Sequence, residues 1–137
     1  ITSDIGEGFG NWTMGRDDEV LPLLTSANVA CGFHAGDPLT IAHTVRIAVE
    51  NDVAVGAHPG FPDLLGFGRR VLPLQPEAAA AYVTYQAGAV REFLRPYGRD
   101  LNHVTPHGAF FALLRDDETL AAPVAEAIKG RGDAVMG

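Results

Sequence analysis

A single cysteine, Cys31, excludes an internal disulfide and agrees with a reducing compartment. No apolar run approaches the roughly 20 uncharged residues of a membrane span, and the opening Ile1-Thr2-Ser3-Asp4 lacks the basic and apolar regions of a signal peptide. Basic residues are scarce: the formal net charge is −7 and Arg69-Arg70 is the only adjacent basic pair, which opposes binding to nucleic-acid phosphates. These absences predict a cytoplasmic protein that engages neither membrane nor nucleic acid. What is present, 137 residues of which 47% are hydrophobic, suffices for one α/β domain over residues 1–137 and is too little to need two.

Local signals alternate along the chain. Asp17 to Thr25 has acids followed by Val20, Leu21, Leu23 and Leu24, the pattern of a short helix despite Pro22, and Ala27 to Phe33 reads as a buried strand. Within that run Cys31 reads as a small buried hydrophobe. Asp37 before Pro38 is a helix start, an N-cap acid with proline at the first helical position. Ile41, Ala42, Val45, Ala48 and Val49 then recur at helical spacing up to Glu50, and Val53 to Ala57 forms the next strand.

Glycines and prolines make residues 59–73 a long loop, and long loops in small domains tend to carry function. Pro76 and Glu77 open an Ala-rich helix with Ala79, Val83, Ala87, Val90 and Leu94 on its apolar face, ending near Pro96-Tyr97-Gly98. Leu101 to Thr105 is a strand, a helical turn follows His107, Asp116-Asp117-Glu118 begins another helix through Ala127, and Ala134-Val135-Met136 begins a last strand. Strand and helix in alternation predict an α/β fold with a parallel sheet.

Three histidines occupy one kind of setting: Gly32-Phe33-His34-Ala35-Gly36, Gly56-Ala57-His58-Pro59-Gly60 and Thr105-Pro106-His107-Gly108. Each follows an apolar run that breaks at Gly, Pro or Ala. Parallel strands all end at the same sheet edge, so the three imidazoles are expected to share a pocket there. Asp4 and Glu7 end the first strand and enter its loop, where a carboxylate can act as general base or metal ligand. Asp4 with His34, His58 and His107 would make a mixed N/O site for zinc or another divalent ion; alternatively, the rings are hydrogen-bonding residues of a metal-free pocket. Asp37 and Asp63 either orient imidazoles or substrate, or cap turns. Arg69 and Arg70 either clamp a carboxylate or phosphate, or are solvated surface charges. His43 in a helix and His103 near a strand start read as structural or exposed.

The blocks Asp4-Ile5-Gly6-Glu7-Gly8-Phe9-Gly10, Ser26 to Pro38, Gly56 to Asp63, Gly66-Phe67-Gly68-Arg69-Arg70 and Pro106-His107-Gly108-Ala109 together resemble the LamB/YcsF family, the 5-oxoprolinase A subunits. The resemblance implies a partial or irregular (β/α) barrel with parallel strands, similar to the glycoside hydrolase/deacetylase-type barrel. It implies ATP-dependent opening of the 5-oxoproline lactam to L-glutamate with partner subunits. Asp4, Glu7, His34, His58 and His107 would be its catalytic groups and Asp37, Asp63, Arg69 and Arg70 its substrate contacts.

The chain departs from the family pattern at Thr105, where lysine is usual, at Phe111 and Ala112, where Tyr-Asn is usual, and at Thr2, where asparagine is usual. Family members are also nearly twice as long, so the chain reads as the N-terminal part of a longer barrel whose open edges favour self-association into a homo-oligomer. A metal-dependent deacetylase or amidohydrolase acting on a C–N bond, and a non-catalytic binding protein, are the alternative functions.

Overall fold

Five strands pair in the order in which the chain makes them. In the computed structural model, which describes residues 1–130 and 134–135, β1 (Thr2–Ile5), β2 (Ser26–Ala30), β3 (Ala54–His58), β4 (His103–Val104) and β5 (Ala134–Val135) form one parallel sheet of order β1-β2-β3-β4-β5. A doubly wound sheet reverses its order at a switch point, and this one never does. Crossovers between parallel neighbours are right-handed as a rule, so joining successive neighbours places the helices on one face, which is the construction of a (β/α) barrel wall.

The helices are α1 (Asp17–Val20), α2 (Pro38–Glu50), α3 (Pro76–Leu94), α4 (Gly108–Asp116) and α5 (Glu118–Lys129). Asp37 caps α2, its Oδ1 accepting the Leu39 and Thr40 amides at 2.9 Å each, a contact whose loss typically costs about 1 kcal/mol. Helix α3 packs between α2 and α5, burying Ala79, Val83, Ala87, Val90 and Leu94, the face its periodicity marks. None of the helices is long and apolar enough to cross a membrane among the described residues.

Register then divides the sheet into two faces, because side chains alternate along a strand. Ile5, Val29, Ala57 and Val104 stand side by side and are buried in the core. Asp4, Asn28, Gly56 and His103 form the adjacent row, projecting to the other face. His58, two residues beyond Gly56, continues that polar side at the strand's C-terminal end.

The observed elements differ most from the expected ones in four places. Strand β2 stops at Ala30, because Gly32 turns the chain at φ +96° with its amide on the Ala35 carbonyl, 2.8 Å away; Cys31 is buried just past the strand rather than within it. Pro22 converts the second half of the first helix into a 3-10 turn over Leu21–Leu23. Strand β4 keeps only two residues as ladder partners before Pro106 ends it. The turn after His107 extends into nine residues of α4, anchored by buried Phe110 against Phe61, ring centroids 5.2 Å apart. Met136 of the expected last strand lies outside the described residues.

Candidate functional site

His34, His58 and His107 meet at the C-terminal edge of the sheet, each almost entirely buried. His58 comes from the last position of β3, His107 from the residue before α4, and His34 from the loop between β2 and α2. The His34 and His107 rings stack with centroids 3.7 Å apart and planes 4° from parallel. His58 stands nearly perpendicular to both, at 86° and 82°. Its Nε2 lies 3.0 Å from His107 Nδ1.

Backbone carbonyls hold two of these rings from behind. His58 Nδ1 donates to the Thr105 carbonyl at 2.6 Å, and His107 Nε2 donates to the Phe67 carbonyl at 2.8 Å. Phe67 is left-handed at φ +52°, an uncommon and strained state for a residue with a side chain. Its neighbours fix it there: the Phe67 amide bonds the Leu64 carbonyl and the Gly68 amide the Asp63 carbonyl, at 3.2 and 2.9 Å. Glycine is required beside the stack, since a Cβ on Gly60 would lie 2.6 Å from His34 Nδ1 and one on Gly68 2.7 Å from His34 Cβ.

Carboxylates complete the site from the β1 end. Glu7 Oε1 is 3.3 Å from His34 Nε2 and 3.9 Å from His107 Nδ1. Its loop is pinned on both sides, by Asp17 Oδ2 accepting the Gly6 amide and by Asp37 Oδ2 accepting the Gly10 amide, each at 2.8 Å. Asp4 Oδ1 accepts from Asn28 Nδ2 at 2.9 Å while Oδ2 lies 3.5 Å from His58 Nε2. His58 and Asn28 hold the Asp4 carboxyl well below the usual carboxylate range against the opposing effect of burial. That makes Asp4 a fixed negative charge and a weak base.

Burial acts oppositely on the imidazoles, because it penalises their charged form. It depresses His34, and together with the neighbouring rings it pushes His107 down to about 4. Neutral rings with free lone pairs are ligands and proton acceptors. Glu7, His34, His58 and His107 place one ligand atom each within 4.8 Å of one another and could hold a metal ion. The sequence pattern gives Glu7's place in such a set to Asp4. The difference arises because Asp4 is drawn along the sheet toward Asn28.

The remaining expected contacts are spent elsewhere. Asp37 caps α2 and ties down Gly10. Asp63, whose carboxyl the Arg70 guanidinium and the Gly66 amide lower to about 2, closes its own loop through that Arg70 pair. Arg69 is exposed, its guanidinium 5.6 Å above the Phe67 ring, with no carboxylate partner among the described residues. His43 is on the surface and bonds Asp18 at 2.8 Å.

Sequence reasoning singled out neither Asn28 nor Gln86, and of its two readings of His103, structural or exposed, the structure selects the first. His103 is completely buried, with Nε2 2.6 Å from Asn28 Oδ1, so a polar row runs His103, Asn28, Asp4 toward His58. Gln86, buried in α3, clamps Gly60 by accepting its amide at 2.9 Å and donating to its carbonyl at 3.1 Å. The signal for Asn28 and Gln86 was a polar residue inside an apolar stretch. A separate cleft of about 500 Å3 lies beyond the Glu7 loop, lined by Trp12, Arg16, Asp18 and His43 among others, not by His34, His58 or His107.

Residues 1–136 match the LamB/YcsF family. The chain belongs to that family. It is 55% identical to the 5-oxoprolinase A subunit of Pyrococcus horikoshii over 128 residues, which is 93% of this chain and 50% of that protein. The 5-oxoprolinase A subunit of Geobacillus thermodenitrificans is 48% identical over the same shares. The lactam utilization protein of Thermus thermophilus, a crystal structure, superposes with a TM-score of 0.91 at 49% identity, covering 95% of this chain and 53% of that one.

This LamB/YcsF chain thus spans about half the length of the curated relatives it matches. Thr105 falls inside the site: its carbonyl holds His58, whereas its hydroxyl is buried without a hydrogen-bond partner.

Proposed function

We propose that the chain is the site-bearing N-terminal part of a longer barrel that hydrolyses a lactam, opening 5-oxoproline to L-glutamate with ATP and partner subunits. The observation that carries this reading is the convergence of Glu7 with three buried imidazoles at the end of the sheet where barrels bind their ligands. The names of the relatives support the substrate class and the multi-subunit setting.

An unactivated lactam is a poor electrophile. ATP provides the remedy: the lactam oxygen attacks the γ-phosphorus, ADP leaves, and the ring carbon becomes open to water. Water then adds to that carbon, the C–N bond breaks with a proton going to nitrogen to leave an acyl phosphate, and a second water cleaves that phosphate to give the free carboxylate. In this scheme His58 or His107 takes the proton from water, since their lone pairs face each other beside Glu7 and their other nitrogens are held by carbonyls. Asp4, held ionised, stabilises positive charge on His58. Arg69, a cation without a carboxylate partner among the described residues, is assigned the substrate's carboxylate.

The test is 5-oxoproline-dependent ADP release and glutamate formation by the assembled complex. His58→Asn should lower kcat by about 10²–10⁴-fold, the usual contribution of an acid–base group, and Arg69→Ala should raise KM with a smaller change in kcat. An intact complex that releases no glutamate from 5-oxoproline would overturn the proposal. The second reading, a metal-dependent amidohydrolase, is favoured by the lone pairs that face one another; ring opening without ATP but with stoichiometric metal would select it.

A further inference from the structure

The tautomers of His58 and His107 are fixed by what stands behind them. His58 Nδ1 and His107 Nε2 each face a backbone carbonyl and so each carries its ring's hydrogen. In neutral rings the opposite nitrogens, His58 Nε2 and His107 Nδ1, are then both lone pairs. They point at each other across 3.0 Å, a distance at which two acceptors repel unless a cation lies between or beside them. Backbone carbonyls that orient imidazoles in this way are the common outer support of metal-binding histidines.

We propose that one divalent transition-metal ion of zinc-like character binds His58 Nε2, His107 Nδ1 and Glu7 Oε1, taking up the lone pairs that the metal-free scheme uses as proton acceptors and so resting on the metal-dependent reading of the site. Bonds of about 2.0–2.1 Å in a tetrahedron place ligand atoms about 3.4 Å apart. The observed separations, 3.0 Å between the two nitrogens and 3.9 Å from His107 Nδ1 to Glu7 Oε1, straddle that value. The two ring planes cross at 82°, so one point can lie in both, as in-plane coordination requires. Two imidazoles and a carboxylate with a fourth position left for water are the donor set of a catalytic zinc site.

His34 has a different task. Its ring is parallel to His107 at 3.7 Å, and an ion cannot lie in two parallel planes at once. Its Nδ1 is also buried with no carbonyl or carboxylate behind it, unlike the two ligand rings. His34 Nε2 instead donates to Glu7 Oε1 at 3.3 Å, which aims the carboxylate at the ion. It is a positioning residue.

Chelator-stripped protein titrated with cobalt(II) and zinc, with metal content after dialysis, reads this out without any substrate. One equivalent should bind, cobalt should show the visible bands of low coordination number, and zinc should raise the unfolding temperature. His58→Asn, His107→Asn and Glu7→Gln should each weaken binding about 100-fold or more, and His34→Asn by less than about 10-fold. Glu7→Gln, at a partly exposed loop residue, decides the matter if a buried histidine variant fails to fold. No retained metal overturns the proposal. So does a 15N imidazole spectrum with one proton shared between His58 and His107 that zinc leaves unchanged, and so does equal loss in His34→Asn.

Discussion

Gly56→Ala tests whether the polar row across the sheet is a built element of the fold. An ideal Cβ on Gly56 would lie 2.1 Å from His103 Nε2, 2.3 Å from Cδ2 and 2.5 Å from Cε1, so the imidazole occupies the space where the methyl group would go. The ring is completely buried and cannot swing to solvent. Its Nε2 bonds Asn28 Oδ1 at 2.6 Å, and the Asn102 side-chain amide stands 3.1 Å from Nδ1. Overpacking of this kind costs about 1–3 kcal/mol. If the ring moves aside, Asn28 Oδ1 is left buried and unpaired, which adds about 1–3 kcal/mol. The sum, about 2–6 kcal/mol, is a large part of the roughly 5–15 kcal/mol by which a domain is stable.

Urea unfolding followed by circular dichroism measures it, with the cycle completed by His103→Ala and the double variant. The single variant should lower the midpoint by about 1 M or more, given a slope of about 1–3 kcal/mol per M. In the His103→Ala background the methyl has room, and Gly56→Ala should cost less than about 1 kcal/mol there. The interaction energy between the two sites should therefore exceed about 1 kcal/mol. Equal costs in both backgrounds, or a single variant within about 0.5 kcal/mol of the parent, would refute the reasoning.

Two further outcomes follow from the same burial. His103 is held neutral, its pKa lowered chiefly by desolvation. Its folded pKa lies below the unfolded value of about 6.5, so the unfolded state binds the proton first. This contribution to stability is complete above about pH 6.5 and is lost as pH falls below it. The urea midpoint should fall on acidification from pH 7 to 5, and His103→Asn should flatten that dependence; an unchanged slope in the variant would rule His103 out as the source. Burial pushes the Cys31 thiol up to about 12. Cys31 should therefore resist a thiol-specific reagent at pH 8 in the folded protein and react once in urea, and rapid native labelling would show that the thiol is accessible.

Much of the frame was legible before any coordinates. Asp37 followed by Pro38 marks the start of α2 because capping is a contact between neighbours in sequence. Alternating strands and helices, each of consistent periodicity, leave few topologies other than a parallel sheet. In a parallel sheet every strand ends on one side, so histidines at the ends of successive apolar runs share an edge. The resemblance of the Ser26 to Pro38 and Gly56 to Asp63 blocks carried the family.

Which atoms face which was decided only by the tertiary structure. Glu7, three residues beyond Asp4, reaches the imidazoles because Asp17 and Asp37, distant in sequence, pin the amides of Gly6 and Gly10. Asp4 turns to Asn28 because strand register sets them side by side. The carbonyls that fix His58 and His107 belong to Thr105 and Phe67, residues 47 and 40 positions away in the chain. Periodicity and capping act over a few residues and can be read from the sequence. The direction of a side chain at the end of a loop is set by contacts across the whole domain, and no local pattern encodes it.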